Sequence, residues 1–146
     1  RVLPIEDAAA KISVAAESRR SEDFLIIART DALSSLGVDE AIRRGRAFAD
    51  AGADILFIES PESEEQLKHI GSALGDYPLL VNVVEGGRTP VLSRARYAAL
   101  GFQMAIYPAT GFLAMAKVLE KVYGEIKQTG SNLACASDVA DFKSVC

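Results

Sequence analysis

Asp23-Phe24-Leu25-Ile26-Ile27-Ala28-Arg29-Thr30-Asp31-Ala32 opens apolar and partly β-branched and ends in two charges, Arg29 and Asp31. Such a run reads as a strand buried on both faces, with its polar residues gathered at the C-terminal end. The pattern recurs along the chain. Asp54-Ile55-Leu56-Phe57-Ile58 ends in Glu59, and Pro78-Leu79-Leu80-Val81 ends in Asn82 with Glu85 beyond it. Phe102-Gln103-Met104-Ala105-Ile106 ends in Tyr107-Pro108. In parallel α/β folds, ligands bind at that end of the strands. The repetition therefore predicts one polar rim carrying Arg29, Glu59, Asn82 and Tyr107.

The segments between these runs read as helices. Leu3 to about Arg19 has Pro4 for a first helical position and Glu6 and Asp7 at the positive end of the dipole. Ile5, Ala8, Ala9, Ile12, Ala15 and Ala16 fall at helical spacing on it. Val38 to Ala51 follows, with Ala41, Ile42 and Phe48 on one face, Gly45 a local weakness and Gly52 at the C-terminal cap. Ser63-Glu64-Glu65-Gln66 has the form of a capping box and opens a helix carrying Leu67, Ile70 and Leu74. His69 lies off that stripe and reads as a solvated helix residue. Ser93 can cap a short helix bearing Tyr97 and Leu100, closed by Gly101. From about Gly111 to Gln128, Phe112, Met115, Leu119, Val122 and Ile126 form an apolar seam. Residues 131–146 are a weakly patterned tail in which Val139 and Phe142 could dock as one helical turn.

The sum is a helix followed by four βα units, predicted over residues 1–130. Two architectures fit: a small open sheet with helices on both faces, or half of a (β/α)8 barrel, whose full length is ~250 residues. Pattern alone favours the open sheet, because the chain has 146 residues. Neither G-x-G-x-x-G nor a phosphate-binding loop ending in Lys-Ser/Thr follows any strand, so the usual nucleotide signatures are absent.

Composition narrows the partners. Hydrophobic residues make up 49% and charged residues 25%, ordinary for a globular domain. The net charge of −4 gives no footprint for nucleic acid. No apolar run approaches the ~18 residues of a membrane span. Cys135 and Cys146 have no metal-ligand spacing and read as two free thiols in a reducing cytosol, so a cytoplasmic location is expected. The first residue is not Met, so the chain is expected to be processed or cut from something longer.

Ala28-Arg29-Thr30-Asp31-Ala32, Leu56-Phe57-Ile58-Glu59, Asn82 with Glu85-Gly86-Gly87-Arg88-Thr89-Pro90, and Ile106-Tyr107-Pro108 together resemble the isocitrate lyase / phosphoenolpyruvate mutase superfamily. Each piece is weak alone. Four in order and spacing, from about Val2 to Gly130, make a specific signal. The resemblance implies a (β/α)8 barrel, with this chain as its C-terminal half, from the helix before strand five through the helix after strand eight. It also implies what lies outside the sequence: the aspartates that hold Mg²⁺, and a mobile Lys-Lys-Cys-Gly-His loop. Leu3-Pro4-Ile5-Glu6-Asp7 looks like the segment that follows this loop. Cys135 and Cys146 do not match the loop cysteine.

The resemblance carries a chemistry. Cleaving a carbon–carbon bond in a 2-hydroxy or 2-oxo dicarboxylate (2-methylisocitrate-like), or a phosphorus–carbon bond, passes through a pyruvate-like enolate whose oxygen needs fixed positive charge. By resemblance Mg²⁺ supplies most of it and Arg29 the rest, as a planar donor fork. Glu59 resembles the acid that binds water on the metal. Asn82 resembles a donor to a substrate carboxylate. Gly86, Gly87, Arg88 and Thr89 resemble a loop shaping the pocket for the departing half. Asp31 is expected to orient Arg29. A homo-oligomeric lyase is the expected parent. The alternatives are a phosphonomutase or related phosphorus–carbon enzyme, or an inactive fragment. The bland readings stand beside each residue: a rim ion pair for Arg29 and Asp31, a solvated strand end for Glu59, and a plain turn for Asn82 and the paired glycines.

Overall fold

Strands β1 (Ile27–Thr30), β2 (Ile55–Ile58), β3 (Leu79–Asn82) and β4 (Met104–Ile106) form one sheet in sequence order, every neighbouring pair parallel. The computed structural model describes residues 2–145, so Cys146 lies outside the described residues. They fall into two units, the first ending at Tyr107 and the second beginning at Pro108.

In the first unit, α1 (Ile5–Ser18) precedes the sheet, and α2 (Leu33–Leu36), α3 (Val38–Asp50), α4 (Glu64–Leu74) and α5 (Arg94–Ala99) connect its strands. Parallel connections cross over with one hand. Because the strand order never reverses, successive crossovers put their helices on one face. The buried residues agree. One cluster joins Ala28, Leu56, Ile58, Leu79 and Val81 to helix residues such as Phe48, Leu67 and Ile70. The other face carries a separate cluster of strand residues alone, Ile55, Phe57 and Leu80. An open sheet with helices on both faces is thereby excluded, and the arrangement is that of barrel strands with an inner and an outer side.

Two helix contacts explain glycines that propensity alone would disfavour. A Cβ on Gly45 would sit 2.8 Å from Leu74 Cδ1, so this residue is a packing point between α3 and α4 rather than the local weakness expected. A Cβ on Gly71 would lie 1.8 Å from the Leu100 carbonyl oxygen, so α4 meets the end of α5 backbone to backbone. Ser63 caps α4 as expected, accepting from Gln66 N. The Gln66 side chain returns to Glu62 N, one residue before the expected position. His69 is exposed and pairs with Asp39 at 2.9 Å, linking α4 to the start of α3.

The first strand starts later than its apolar run. Phe24 and Leu25 are exposed and precede β1, and Ile27 is 47% exposed, so the expected burial on both faces fails here. Asp54 sets the start: its carboxylate takes the Ile26 N–H at 2.7 Å and Arg19 at 2.7 Å, while the Ile26 carbonyl accepts from Asp54 N and Ile55 N. β4 is likewise exposed rather than buried, with Met104 and Ile106 on the inner face.

The second unit holds α6 (Thr110–Thr129), a 3-10 turn (Leu133–Asp138) and α7 (Phe142–Val145). Lys121 pairs with Asp138 at 2.7 Å, tying α6 to the turn, and Cys135 is a buried free thiol. The α6 seam forms at the predicted spacing, yet of its five residues only Val122 is buried. The turn at Phe142 also forms, but Val139 and Phe142 are exposed and do not dock.

Candidate active site

Register builds the site. Arg29 is the direct partner of Phe57 and projects to the inner face, because Ala28 and Thr30 on either side are buried with the helices. Its guanidinium therefore lies over the Phe57 ring, 5.0 Å from the centroid. Phe57 itself packs in one buried cluster with Ile55 and Leu80. The ring's negative face attracts the cation and restricts its plane.

Just above, the strand ends bring Asp31 and Glu59 to Arg29, and Asn82 to Glu59. Asp31 grips it bidentately, Nε to Oδ2 at 3.1 Å and Nη2 to Oδ1 at 2.8 Å. Glu59 Oε2 lies 3.3 Å from Nη1. Glu59 is held in line by its backbone N–H, which donates to the Thr30 carbonyl at 3.0 Å. Asn82 Nδ2 faces both Glu59 oxygens at 3.4 and 3.5 Å, which is long for a hydrogen bond. Arg29, Asp31, Glu59 and Asn82 thus lie together at the carboxyl ends of β1, β2 and β3. Tyr107 follows β4, whose Ile106 pairs with Asn82.

The electrostatics are specific. Hydrogen bonding to Asp31 is the main cause that holds the Arg29 guanidinium above its ordinary pKa. The same bond pulls the Asp31 carboxyl below the usual carboxylate range. Both side chains are about half exposed, so the pair contributes orientation more than stability. A guanidinium has five N–H donors. Asp31 takes one donor on Nε and one on Nη2, and Glu59 lies at ion-pair distance from Nη1, which leaves donors on both terminal nitrogens outside the Asp31 grip as an end-on fork. Asn82 Oδ1 is buried without a hydrogen-bond partner. Turning the amide over would place that oxygen against the Glu59 carboxylate, so the orientation follows from the charge next to it. The expected donor side of Asn82 faces Glu59, and its acceptor side is the orphan.

Gly86, Gly87 and Thr89 stand outside this bonded set, in the loop beyond β3. Gly87 N donates to Val84 O at 2.9 Å with Gly86 at φ 74°, a turn whose third position requires a left-handed residue. Arg88 pairs with Glu62 at 3.1 Å, joining this loop to the one after β2. Thr89 is buried. The loop's exit is clamped by Tyr97: its hydroxyl donates to the Pro90 carbonyl at 2.6 Å and accepts from Leu92 N at 3.2 Å. Burial is the main cause that raises this phenol above its ordinary pKa.

Four contributors escaped sequence reasoning. Phe57 and Tyr97 read as core residues. Ser60 gave no signal, though its hydroxyl donates to Glu59 Oε1 at 3.0 Å. Arg44 likewise drew no reading from the sequence, but it is 5% exposed, pairs with Glu40 at 2.8 Å and donates to the Leu3 carbonyl at 2.8 Å. It therefore fixes the segment entering α1. No three His, Cys, Asp or Glu side chains converge among the described residues in a way that could hold a metal ion.

A family model described as phosphoenolpyruvate phosphomutase matches residues 1–127. The 2,3-dimethylmalate lyase of Eubacterium barkeri is 41% identical over 141 residues, covering 97% of this chain and 48% of that protein. The 2-methylisocitrate lyase of Bacillus subtilis (strain 168) is 36% identical over 131 residues, covering 90% and 42%. Among solved structures, phosphonopyruvate hydrolase complexed with oxalate and Mg²⁺ gives a TM-score of 0.85 at 30% identity, over 99% of this chain and 51% of that one. A crystal structure of 2,3-dimethylmalate lyase, described as a PEP mutase/isocitrate lyase superfamily member, gives 0.84 at 31% identity, over 90% and 47%. The chain spans about half the length of the curated relatives it matches. The one-sided sheet in sequence order is accordingly a partial (β/α)8 barrel, and the chain belongs to the phosphoenolpyruvate phosphomutase family, within the isocitrate lyase/PEP mutase superfamily.

Proposed function

We propose that the whole protein carrying this segment is a lyase that breaks a carbon–carbon bond in a 2-hydroxy or 2-oxo dicarboxylate. The observation that carries this reading is the Arg29 fork, fixed by Asp31 and Phe57 at the carboxyl end of parallel strands beside Glu59 and Asn82. In such a cleavage of a 2-hydroxy acid a general base of the whole protein takes the substrate hydroxyl proton as the C–O becomes C=O, and a 2-oxo acid first adds water across its carbonyl to supply that hydroxyl. The broken bond's electron pair passes to the departing carboxylate fragment as an enolate, which then takes up a proton. Negative charge thus builds on oxygen, and the Arg29 donors that Asp31 does not take can meet a carboxylate or an enolate oxygen there. Asp31 keeps that fork aimed. Glu59 balances the cation and offers an acceptor. Asn82 takes the substrate with its amide. Gly86, Gly87 and Thr89 shape the wall toward the departing half.

Magnesium, when bound in such an enzyme, would stabilise the same developing charge. The described residues do not form a ligand set for it, so no step here runs through the metal. Glu59 is the one residue proposed to touch its hydration shell. We further propose a homo-oligomer, supported by the exposed α6 residues Phe112, Met115 and Leu119. A cytoplasmic location accords with the free Cys135 thiol. The division into a half barrel over 1–130 and a tail over 131–146 belongs to the same reading, as does inactivity of the 146-residue chain alone.

The test is a substrate panel. The longest natural chain carrying this segment is incubated with Mg²⁺ and 2,3-dimethylmalate, 2-methylisocitrate, oxaloacetate or phosphonopyruvate, and the products are identified by NMR. Cleavage of a dicarboxylate supports the proposal. Turnover of phosphonopyruvate alone would replace it with phosphorus–carbon chemistry, and no turnover of any of the four would refute it.

A further inference from the structure

We infer that Ser60 is a positioning residue whose strained backbone and hydroxyl aim Glu59 at Arg29; the inference deepens the lyase reading of that site and rests on it. Ser60 has φ 60°, and among the described residues it is the one non-glycine with positive φ. A residue with a Cβ rarely enters that left-handed region. Ser60 also precedes Pro61, whose ring further restricts the residue before it. Such a conformation persists only where the surroundings hold it. Here they hold it from both sides. Glu59 N is bonded to the Thr30 carbonyl, and Pro61 is among the fully buried residues.

The corner fixes where the acid points. Ile58 is buried against the helices, so the strand's alternation turns Glu59 to the inner face. Ser60 then ends the strand at once, and its hydroxyl donates back to Glu59 Oε1 at 3.0 Å. That leaves Oε2 for Arg29 at 3.3 Å. The Glu59 side chain is only 15% exposed, so water competes little for these contacts. A plain turn would gain from glycine at this position. A serine there instead keeps the one donor that sets the carboxylate's rotation. The strain is the mark of a site that favours geometry over stability.

Ser60→Gly and Ser60→Ala separate the two roles. Glycine removes both strain and donor, and alanine removes only the donor. In both the 146-residue chain and the longest natural chain carrying it, Ser60→Gly should raise the thermal midpoint and Ser60→Ala should not. With ¹³C-labelled glutamate, the Glu59 carboxyl resonance, assigned by its loss in Glu59→Gln, should move in both variants. In the longer chain both should lower kcat about tenfold or more, with KM within about twofold. The combination of higher stability and lower kcat in Ser60→Gly is a result that a purely structural serine cannot give. An unmoved Glu59 resonance in both variants, a lower midpoint in Ser60→Gly, or full kcat in both would overturn the inference. If the unsubstituted protein turns over none of the panel, the lyase reading fails, and the resonance and the midpoint still decide what Ser60 does.

Discussion

Tyr97→Phe isolates a single oxygen atom. The ring is 2% exposed and stays in place among the core residues, so packing is nearly unchanged. What disappears is a 2.6 Å bond to the Pro90 carbonyl and a 3.2 Å bond from Leu92 N. Each such bond contributes a net ~0.5–1.5 kcal/mol, and a stranded buried partner costs ~1–3 kcal/mol. Pro90 and Leu92 are half-buried, so water recovers part of the loss. The expected destabilisation is ~1–3 kcal/mol, a sizeable share of a net stability of ~5–15 kcal/mol. At roughly 4 °C per kcal/mol for a chain of this size, the thermal midpoint should fall by several degrees. Urea melts should show a lower midpoint with an unchanged slope. Amide exchange should quicken most over residues 85–92, beyond the general rise that the lower global stability gives the core amides. The pH dependence carries a sign as well. A phenol whose folded pKa is raised contributes its stability below its ordinary value of 10.0 and loses it as pH rises through the folded value. The wild type should therefore lose its advantage over Tyr97→Phe in strong alkali. An unchanged midpoint together with unchanged exchange in the loop would refute the clamp.

Gly71→Ala should cost about 3 kcal/mol or more, or abolish soluble expression, because the new methyl would meet the Leu100 carbonyl oxygen at 1.8 Å and neither backbone can retreat; thermal melts check this. The Asp54 carboxyl is held below the usual range first by the Ile26 N–H and then by Arg19. A depressed carboxylate contributes stability above its ordinary pKa and loses it as pH falls through the folded value. Asp54→Asn should therefore lower stability at neutral pH and flatten its decline in acid, measured by urea melts across that range. Arg44→Met should free the Leu3 carbonyl, and amide exchange should quicken at residues 2–8 before any change in the sheet.

The rim was legible in the sequence because strand ends expose their polar residues in one direction. Arg29, Glu59 and Asn82 each follow an apolar run, and parallel pairing brings those ends together. The two faces of the sheet were not legible. Ile55-Leu56-Phe57-Ile58 is apolar and buried throughout, so no alternation marks Phe57 as the inner residue beneath Arg29. Register settled that, and register depends on partners in other strands. The start of β1 was misplaced because Phe24 and Leu25 are hydrophobic yet precede the first paired residue. Gly45 looked weak because propensity knows nothing of Leu74, whose methyl fills the space beside it. Ser60 and Tyr97 act through a backbone angle and a hydroxyl direction, neither of which composition records.

The central claim is that Arg29 meets charge that develops on the substrate during the reaction. Steady-state kinetics of Arg29→Lys in the longest natural chain carrying this segment, paired with its thermal midpoint, test that claim most directly. An ammonium cannot reproduce a planar fork held by Asp31 and stacked on Phe57. The account predicts a fall in kcat of ~10²-fold or more with a midpoint close to wild type. Near-normal kcat, or a loss of activity that merely follows a loss of folding, would contradict it and make the Arg29–Asp31 pair a structural feature of the rim.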